Sequence, residues 1–374
     1  MDSHLNISDS VKKSVIEWVA EETDEEEVSA TISNYSRQLH KRILFISVIA
    51  VLIVFVTGYS LAAGKIDIGI LETYETLYNH LTNNIVDPFV DYIVIQIRLP
   101  RVLGGLFAGA GLAVCGVIMQ SVLKNPLADP FTTGVSSGAS FGATVAISSG
   151  MVAYFGFTSL ITLAFVCALV PILMIVALSK TSRATPTTMI MAGIGVMYLF
   201  NAFTTVLKLW SNPDDLASIY TWEVGSLAMI TLEQLPIMCS ISLAGIIVIQ
   251  LLSGKLNIMA TGDDNAKAMG VDAETFRILL LLLTGLIAAA IVSFTGLIGF
   301  IGLVAPHICR MFVGADNRYL VPASALFGAL FLIVGDLIGR AFLGDIILQV
   351  GVVMSFVGGP LFILLILKRS SKVW

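Results

Sequence analysis

Ten separated apolar runs of nearly membrane-crossing length constrain this chain more than any other feature, at about 43–63, 99–122, 131–149, 156–178, 188–209, 235–253, 277–295, 297–313, 319–340 and 347–367. A helix of about 20 apolar residues crosses a hydrocarbon layer about 30 Å thick, and only elements that satisfy their own backbone hydrogen bonds persist there. The pattern implies an all-α integral membrane protein with ten transmembrane helices. Composition agrees, because the 374 residues are 56% hydrophobic and 13% charged, against ~25% charged in soluble domains. A soluble enzyme or a nucleic-acid binder does not fit such a chain.

The third run is the least hydrophobic. FTTGVSSGASFGATVAISSG (131–150) is built from small and hydroxyl residues, a composition that suits a helix packed tightly among other helices rather than one facing lipid. Glycines also crowd GGLFAGAGLAVCG (104–116) and GLIGFIG (296–302), where close backbone approach is the expected reason. TGLIGFIGLVAPH (295–307) reads as two short segments with a break near Gly296 to Gly299, a device tolerated at membrane depth where the backbone is buried or lines a cavity. LPRVLGGLFAGAGLAVCGV (99–117) weakly echoes FRILLLLLTGLIAAAIVSF (276–294), so two five-helix halves related as an inverted repeat are expected.

Charge divides the chain into residues 1–40, expected to be an acidic, disordered cytoplasmic tail, and residues 41–374, the ten-helix transmembrane domain. The first 40 residues hold nine acids and three bases, with EETDEEE at 21–27, too much self-repulsion for a packed core, although a short helix around Val11–Val19 fits the pattern. The tail has neither a basic-then-apolar start nor a small-residue cleavage site and does not read as a signal peptide. With the N-terminus cytoplasmic, inner flanks collect 16 of the 21 Lys and Arg residues. The positive-inside bias therefore puts both termini of a multi-pass protein in the cytoplasm, and leaves Arg98, Arg101 and Arg340 outside.

Catalytic signals are missing. Gly254-Lys255 is followed by Leu256, so no phosphate-binding GxxxxGK[ST] loop is present, and no HExxH or GxSxG occurs. Cys115, Cys167, Cys239 and Cys309 lie alone in apolar stretches, without metal or disulfide spacing. Asp336 is the clearest intramembrane acid, with Arg340 one turn on. An ion pair between them is the plain reading, and a proton or sodium site, hence an ion-coupled carrier, is the rival. Asn125 and Asp129 in NPLADP (125–130) suit a proline-bounded turn in which their side chains accept backbone N–H groups.

The longest internal cytoplasmic segment is SGKLNIMATGDDNAKAMGVDAETF (253–276). Asp263 to Met269 reads as a short helix, with Asp263 and Asp264 in its first turn, where the helix dipole favours acids, and Gly270 as its stop. Such a helix between two spans is a rigid lever.

RLPRVLGGLFAGAGLAVCGVIMQSVLKNPLADPFTTGVSSGASFGA (98–143), LNIMATGDDNAKAMGV (256–271) and GLIGFIGLVAPHICRMFVGADNRYLVPASALFGALFLIVGDLIGR (296–340) resemble the FecCD family across about residues 43–369. These are permease subunits of binding-protein-dependent ABC importers for iron(III)-siderophores, haem and cobalamin. The resemblance implies a homodimer with the pathway at its two-fold axis, two ABC ATPase subunits below and a substrate-binding protein above. No cofactor or metal is bound by this chain, and ATP is used by the partner subunit. Gly262, Asp263, Asp264, Ala266, Ala268, Met269 and Gly270 fall on the family's coupling helix, and Thr185, Pro186 and Thr187 on its cytoplasmic gate, where the proline departs from the family. LGDIILQVGVV (343–353) departs too, lacking a proline ahead of Gly351-Val352. His307, in the family's APH motif, fits a packing or helix-end role better than chemistry. Arg98, Arg101 and Arg340 match outward arginines that pair with glutamates on the binding protein. An iron(III)-siderophore is the expected cargo, with cobalamin, haem or another metal chelate as alternatives.

Overall fold

In chain order, the computed structural model contains α1 (Glu25–Ala62), α2 (Ile70–Leu81), α3 (Pro88–Val122), α4 (Val135–Ser148), α5 (Phe157–Thr181), α6 (Pro186–Trp210), α7 (Pro213–Val224), α8 (Leu235–Ala260), α9 (Asp263–Ala268), α10 (Ala273–Thr295), α11 (Ile301–Val313), α12 (Asn317–Ala341) and α13 (Val350–Leu367). It describes residues 25–181, 185–341 and 348–367, and among these there is no strand. The expected helix at Val11–Val19 and part of the LGDIILQVGVV stretch lie outside the described residues.

Among the described residues seven helices are long and apolar enough to cross a membrane: α1, α3, α5, α6, α8, α10 and α12. The other three expected runs are also helical, but α4 has 14 residues, α11 has 13 and α13 has 18. α11 is short because α10 stops at Gly296, whose φ is +69°, and α11 starts only after Phe300 at φ +67°. The ends of α7, α10 and α13 meet at this break. Ser226 N donates to Thr295 O at 2.7 Å, and Gly351 N donates to Gly225 O at 3.2 Å. These cross-element bonds satisfy backbone groups that the interrupted helices leave without a helical partner.

The charge-based boundary at residue 40 is not a structural one. α1 runs unbroken for 38 residues from Glu25, since nothing between Glu25 and Thr57 is a proline or glycine that would stop a helix. Helices α2 and α7 arise where sequence analysis expected only connections. α7 begins behind Asn212, whose side chain accepts from Asp215 N at 2.8 Å, with Pro213 as its first residue, the usual start for a helix.

α3, α10 and α12 form the centre, with 78%, 72% and 61% of their apolar windows buried, against 17% for α1 and 22% for α6. Glycine makes that centre possible. A methyl group on Gly109 of α3 would strike the carbonyl of Gly328 on α12, and one on Gly116 would strike Gly302 of α11, so backbones touch where any other residue would hold them apart. α4 packs on α5 in the same way, as its small residues led one to expect.

Candidate functional site

Two charged clusters sit at opposite ends of α3. At the arginine end, Asp336 of α12 accepts from Arg101 Nε and Nη2 at 2.9 and 2.8 Å and from Arg340 Nε at 2.9 Å. Arg340 also donates to Ala63 O at 2.6 Å and Ser60 O at 2.7 Å, while Arg98 Nη1 donates to Leu61 O at 3.0 Å and to Ala62 O, and its Nη2 to Ile66 O. All but Ile66 O, in the connection that follows, come from the last turn of α1 or the residue just after it, where carbonyls have no helical N–H left to bond and carry the negative end of the helix dipole.

The three arginines are brought together at this end, and their side chains are largely covered. Arg98, Arg101 and Arg340 are 4%, 9% and 7% exposed, and many of their N–H groups bond within this chain. The sequence places them at the edge of apolar runs. Only packing brings the end of α1 within their reach. Arg98 lies in a π-helical stretch, Tyr92–Arg98, at the start of α3. Asp336 pairs with Arg340 one turn away, as the i,i+4 spacing suggested, and with Arg101 as well. With both oxygens accepting guanidinium N–H groups, this carboxylate has no share left for a transported cation, and the ion-coupled reading loses its residue.

At the other end, α9 is a six-residue helix set between α8 and α10. Gly262 precedes it at φ +117° and Gly270 follows at φ +82°, conformations that favour glycine. Ala266 is fully buried, Met269 is exposed, and Val271 N closes the turn on Ala266 O at 2.8 Å. Asp263 receives Lys124 Nζ at 2.9 Å from the chain just beyond α3, and Arg277 Nη2 at 2.9 Å from the first turns of α10. Burial pushes the Asp263 carboxyl up, but the bonds from Lys124 and Arg277 outweigh it and hold the group below its ordinary value. Arg277 is 2% exposed and its Nε also approaches Val122 O at 3.4 Å, so one buried side chain ties α9, α10 and the end of α3 together.

Neither Arg277 nor Lys124 was singled out from sequence. A lone basic residue flanking an apolar run resembles any other inside-facing charge. The one available signal was the pair of acids opening α9, which called for bases nearby. Thr185, ahead of α6, lines the same hollow of about 400 Å³ as Asp263, Asp264, Glu274 and Arg277. Its hydroxyl accepts Thr188 N at 3.3 Å, and Pro186 is the first residue of α6, so the Thr185-Pro186-Thr187 turn is a helix start.

Asn125 and Asp129 accept Leu127 N and Thr132 N, both at 2.9 Å, as the turn reading expected. Burial pushes Asp129 up to about 6, against the Thr132 bond. His307 is half-buried on α11. Among the described residues no group of three potential metal ligands occurs, and the four cysteines are free thiols. Sequence also missed Glu223, which pairs with Lys208 at 2.6 Å, accepts the Ser140 hydroxyl, and lines a cavity of about 570 Å³ with Phe131, Leu297 and Phe356.

The sequence profile of the FecCD transport family matches residues 50–368, nearly all of this architecture. The chain belongs to the FecCD transport family. It is similar to the hemin transport system permease protein HmuU of Yersinia pestis, at 35% identity over 83% of this chain and 93% of that one. It is likewise similar to the cobalamin import system permease protein BtuC of Halobacterium salinarum, at 35% identity over 75% and 74%. A solved inward-facing ABC transporter assigned to the metal-chelate type superposes with TM-score 0.77 at 31% identity, over 87% of this chain and 99% of that one. This FecCD chain is thus a membrane permease of the ABC importer family.

Proposed function

We propose that this permease imports an iron(III)-siderophore or related metal chelate across the cell membrane, with cobalamin or haem as alternative cargo. The cluster built on Asp263 carries the reading. A short helix tied by Arg277 to α10 and by Lys124 to the end of α3 passes a push on it to both membrane helices. It is therefore a rigid lever on which two ABC ATPase subunits can act from the cytoplasm, with Met269 exposed for contact and Gly262 and Gly270 as its hinges. ATP belongs to those subunits, and this chain binds no cofactor. Thr185 shares the lever's hollow, so movement of α9 reaches the first turn of α6, where Thr185, Pro186 and Thr187 form the cytoplasmic gate.

Both termini then lie in the cytoplasm and the arginine end faces outward. A substrate-binding protein docks there. Three guanidiniums against one carboxylate leave the Arg98, Arg101 and Arg340 cluster net positive, a field that orients an acidic partner and speeds encounter. A homodimer accounts for the exposed apolar side chains of α6 and α13, such as Met191, Tyr198, Phe356 and Ile363, with the pathway running between the copies.

Uptake of labelled chelate into vesicles holding the permease, its ATPase and its binding protein tests the reading. Uptake should stop when the ATPase catalytic site is disabled, and persistence would overturn it. Asking which of ferric siderophore, haem and cobalamin the binding protein retains decides the cargo.

A further inference from the structure

Helix α2 carries an apolar strip that the described residues leave largely exposed. Successive residues of a helix advance by about 100°, which sorts α2 into three strips. Thr73, Leu77 and His80 face the protein: Thr73 is fully buried, Leu77 packs on Ile68, Ile93 and Ile95, and His80 Nδ1 meets Asp91 Oδ1 at 2.8 Å. Glu72, Glu75 and Asn79 line a small acidic hollow with Asp87 and Asp91. Between these two strips run Leu71, Tyr74, Tyr78 and Leu81, which are 85%, 49%, 67% and 81% exposed.

We propose that α2 is a lipid-interfacial helix, with Leu71, Tyr74, Tyr78 and Leu81 seated in the headgroup region of the bilayer at the arginine end. The strip does not stand alone in water. Tyr74 folds back onto α1, where a Cβ at Gly58 would run into its hydroxyl, and Gly58 lies one turn before the end of that helix. The adjoining side of α1 is the exposed apolar wall of Val51, Val54, Phe55 and Tyr59, within the least buried of the membrane-length helices. The strip therefore extends a surface already facing hydrocarbon. Beyond Leu81 the chain returns to α3 through exposed Ile85, Val86, Phe89 and Tyr92. Tyrosines at the boundary, leucines beneath and acids on the water side are the arrangement of an element lying in the membrane plane. α2 packs through Leu77 on Ile93 and Ile95, immediately before Arg98, so lipid would help fix the height of the arginine cluster. The inference holds whatever the cargo.

Spin labels on Tyr78→Cys and Leu81→Cys, compared with Glu75→Cys and Asn79→Cys, test it in phosphatidylcholine–phosphatidylglycerol vesicles. Labelled wild-type chain supplies the background from native cysteines. Relaxation by oxygen against a water-soluble nickel chelate should put labels at 78 and 81 about 5–10 Å below the phosphate plane, with 75 and 79 reading water. Equal nickel access at all four positions would overturn the proposal. So would protection of 78 and 81 from both relaxants, which would mean a second copy or a protein partner covers the strip. Two sites on each strip keep the comparison valid if one variant misfolds.

Discussion

At its arginine end α3 meets Asp336, 2% exposed between two guanidiniums; beyond its other end lie Lys124 and Asp263, whose side chains are 41% and 44% exposed. Both are ion pairs between a helix and its neighbours, yet their energetics differ. Removing one member of a buried pair costs about 3–5 kcal/mol because the other charge is left in a medium that cannot solvate it. An exposed pair is worth about 0.2–1 kcal/mol. The first cluster is therefore a matter of assembly. In the second, the exposed Lys124 bond can be broken and remade during a transport cycle, while buried Arg277 keeps Asp263 tied to α10.

The sharpest way to break the comparison is Asp336→Ala. It strands Arg101 and Arg340 and should lower stability by about 3–5 kcal/mol, read as a large fall in Tm in detergent or as loss of folded protein. A small change would mean that water reaches the cluster. Arg277→Gln should come next, costing about 1–3 kcal/mol through its buried bonds to Asp263 and the α3 terminus, with Arg277→Lys recovering part of the ATPase-driven uptake. Uptake that falls no further than stability explains would reduce Arg277 to packing.

Asp129 gives a pH test at the same end. Its value of about 6 lies above the ordinary 3.8, so its contribution to stability is full below the ordinary value and is lost as pH rises through about 6. Asp129→Asn keeps an acceptor for Thr132 N and should stabilise by about 2–3 kcal/mol at pH 7.5, by about half as much at pH 5 and by little below the ordinary carboxylate value, in paired melting curves. Lys124→Gln should be the mildest change, under about 1 kcal/mol in Tm measurements, with its effect confined to coupled ATPase activity. Asp263 itself is depressed, so its clamp is in force above the ordinary carboxylate pKa of about 3.9 and weakens only as pH falls below it. Melting of the Asp129→Asn variant should accordingly be flat between pH 5 and 8.

The second charge cluster was more legible in sequence than the first. Two acids followed by a glycine stop are local information, and α9 begins at Asp263 as that pattern required. The glycine break before α11 and the tight packing of α4 were readable for the same reason, since composition acts where it stands. Arg98, Arg101 and Arg340 were found as residues, but their setting was not: Arg98 and Arg340 bind carbonyls at or just beyond the end of α1, 32 to 280 positions away in the chain, and Arg101 binds Asp336, 235 positions away. Helices α2 and α7 escaped because short polar-faced helices between spans have the composition of loops, although Asn212-Pro213 marked the start of one.

By itself the sequence determined that this chain is an all-α membrane protein, roughly where its apolar helices run, and which family it resembles, because hydropathy and motif spacing are local properties that the bilayer reads directly. Tertiary structure decided which charges are covered and by what. It turned two edge arginines, Arg98 and Arg340, into a cap on α1 and paired the third with Asp336, gave Asp263 its two bases, and left one strip of α2 facing outward. Burial and pairing depend on distant segments meeting, and no window along the chain contains both partners.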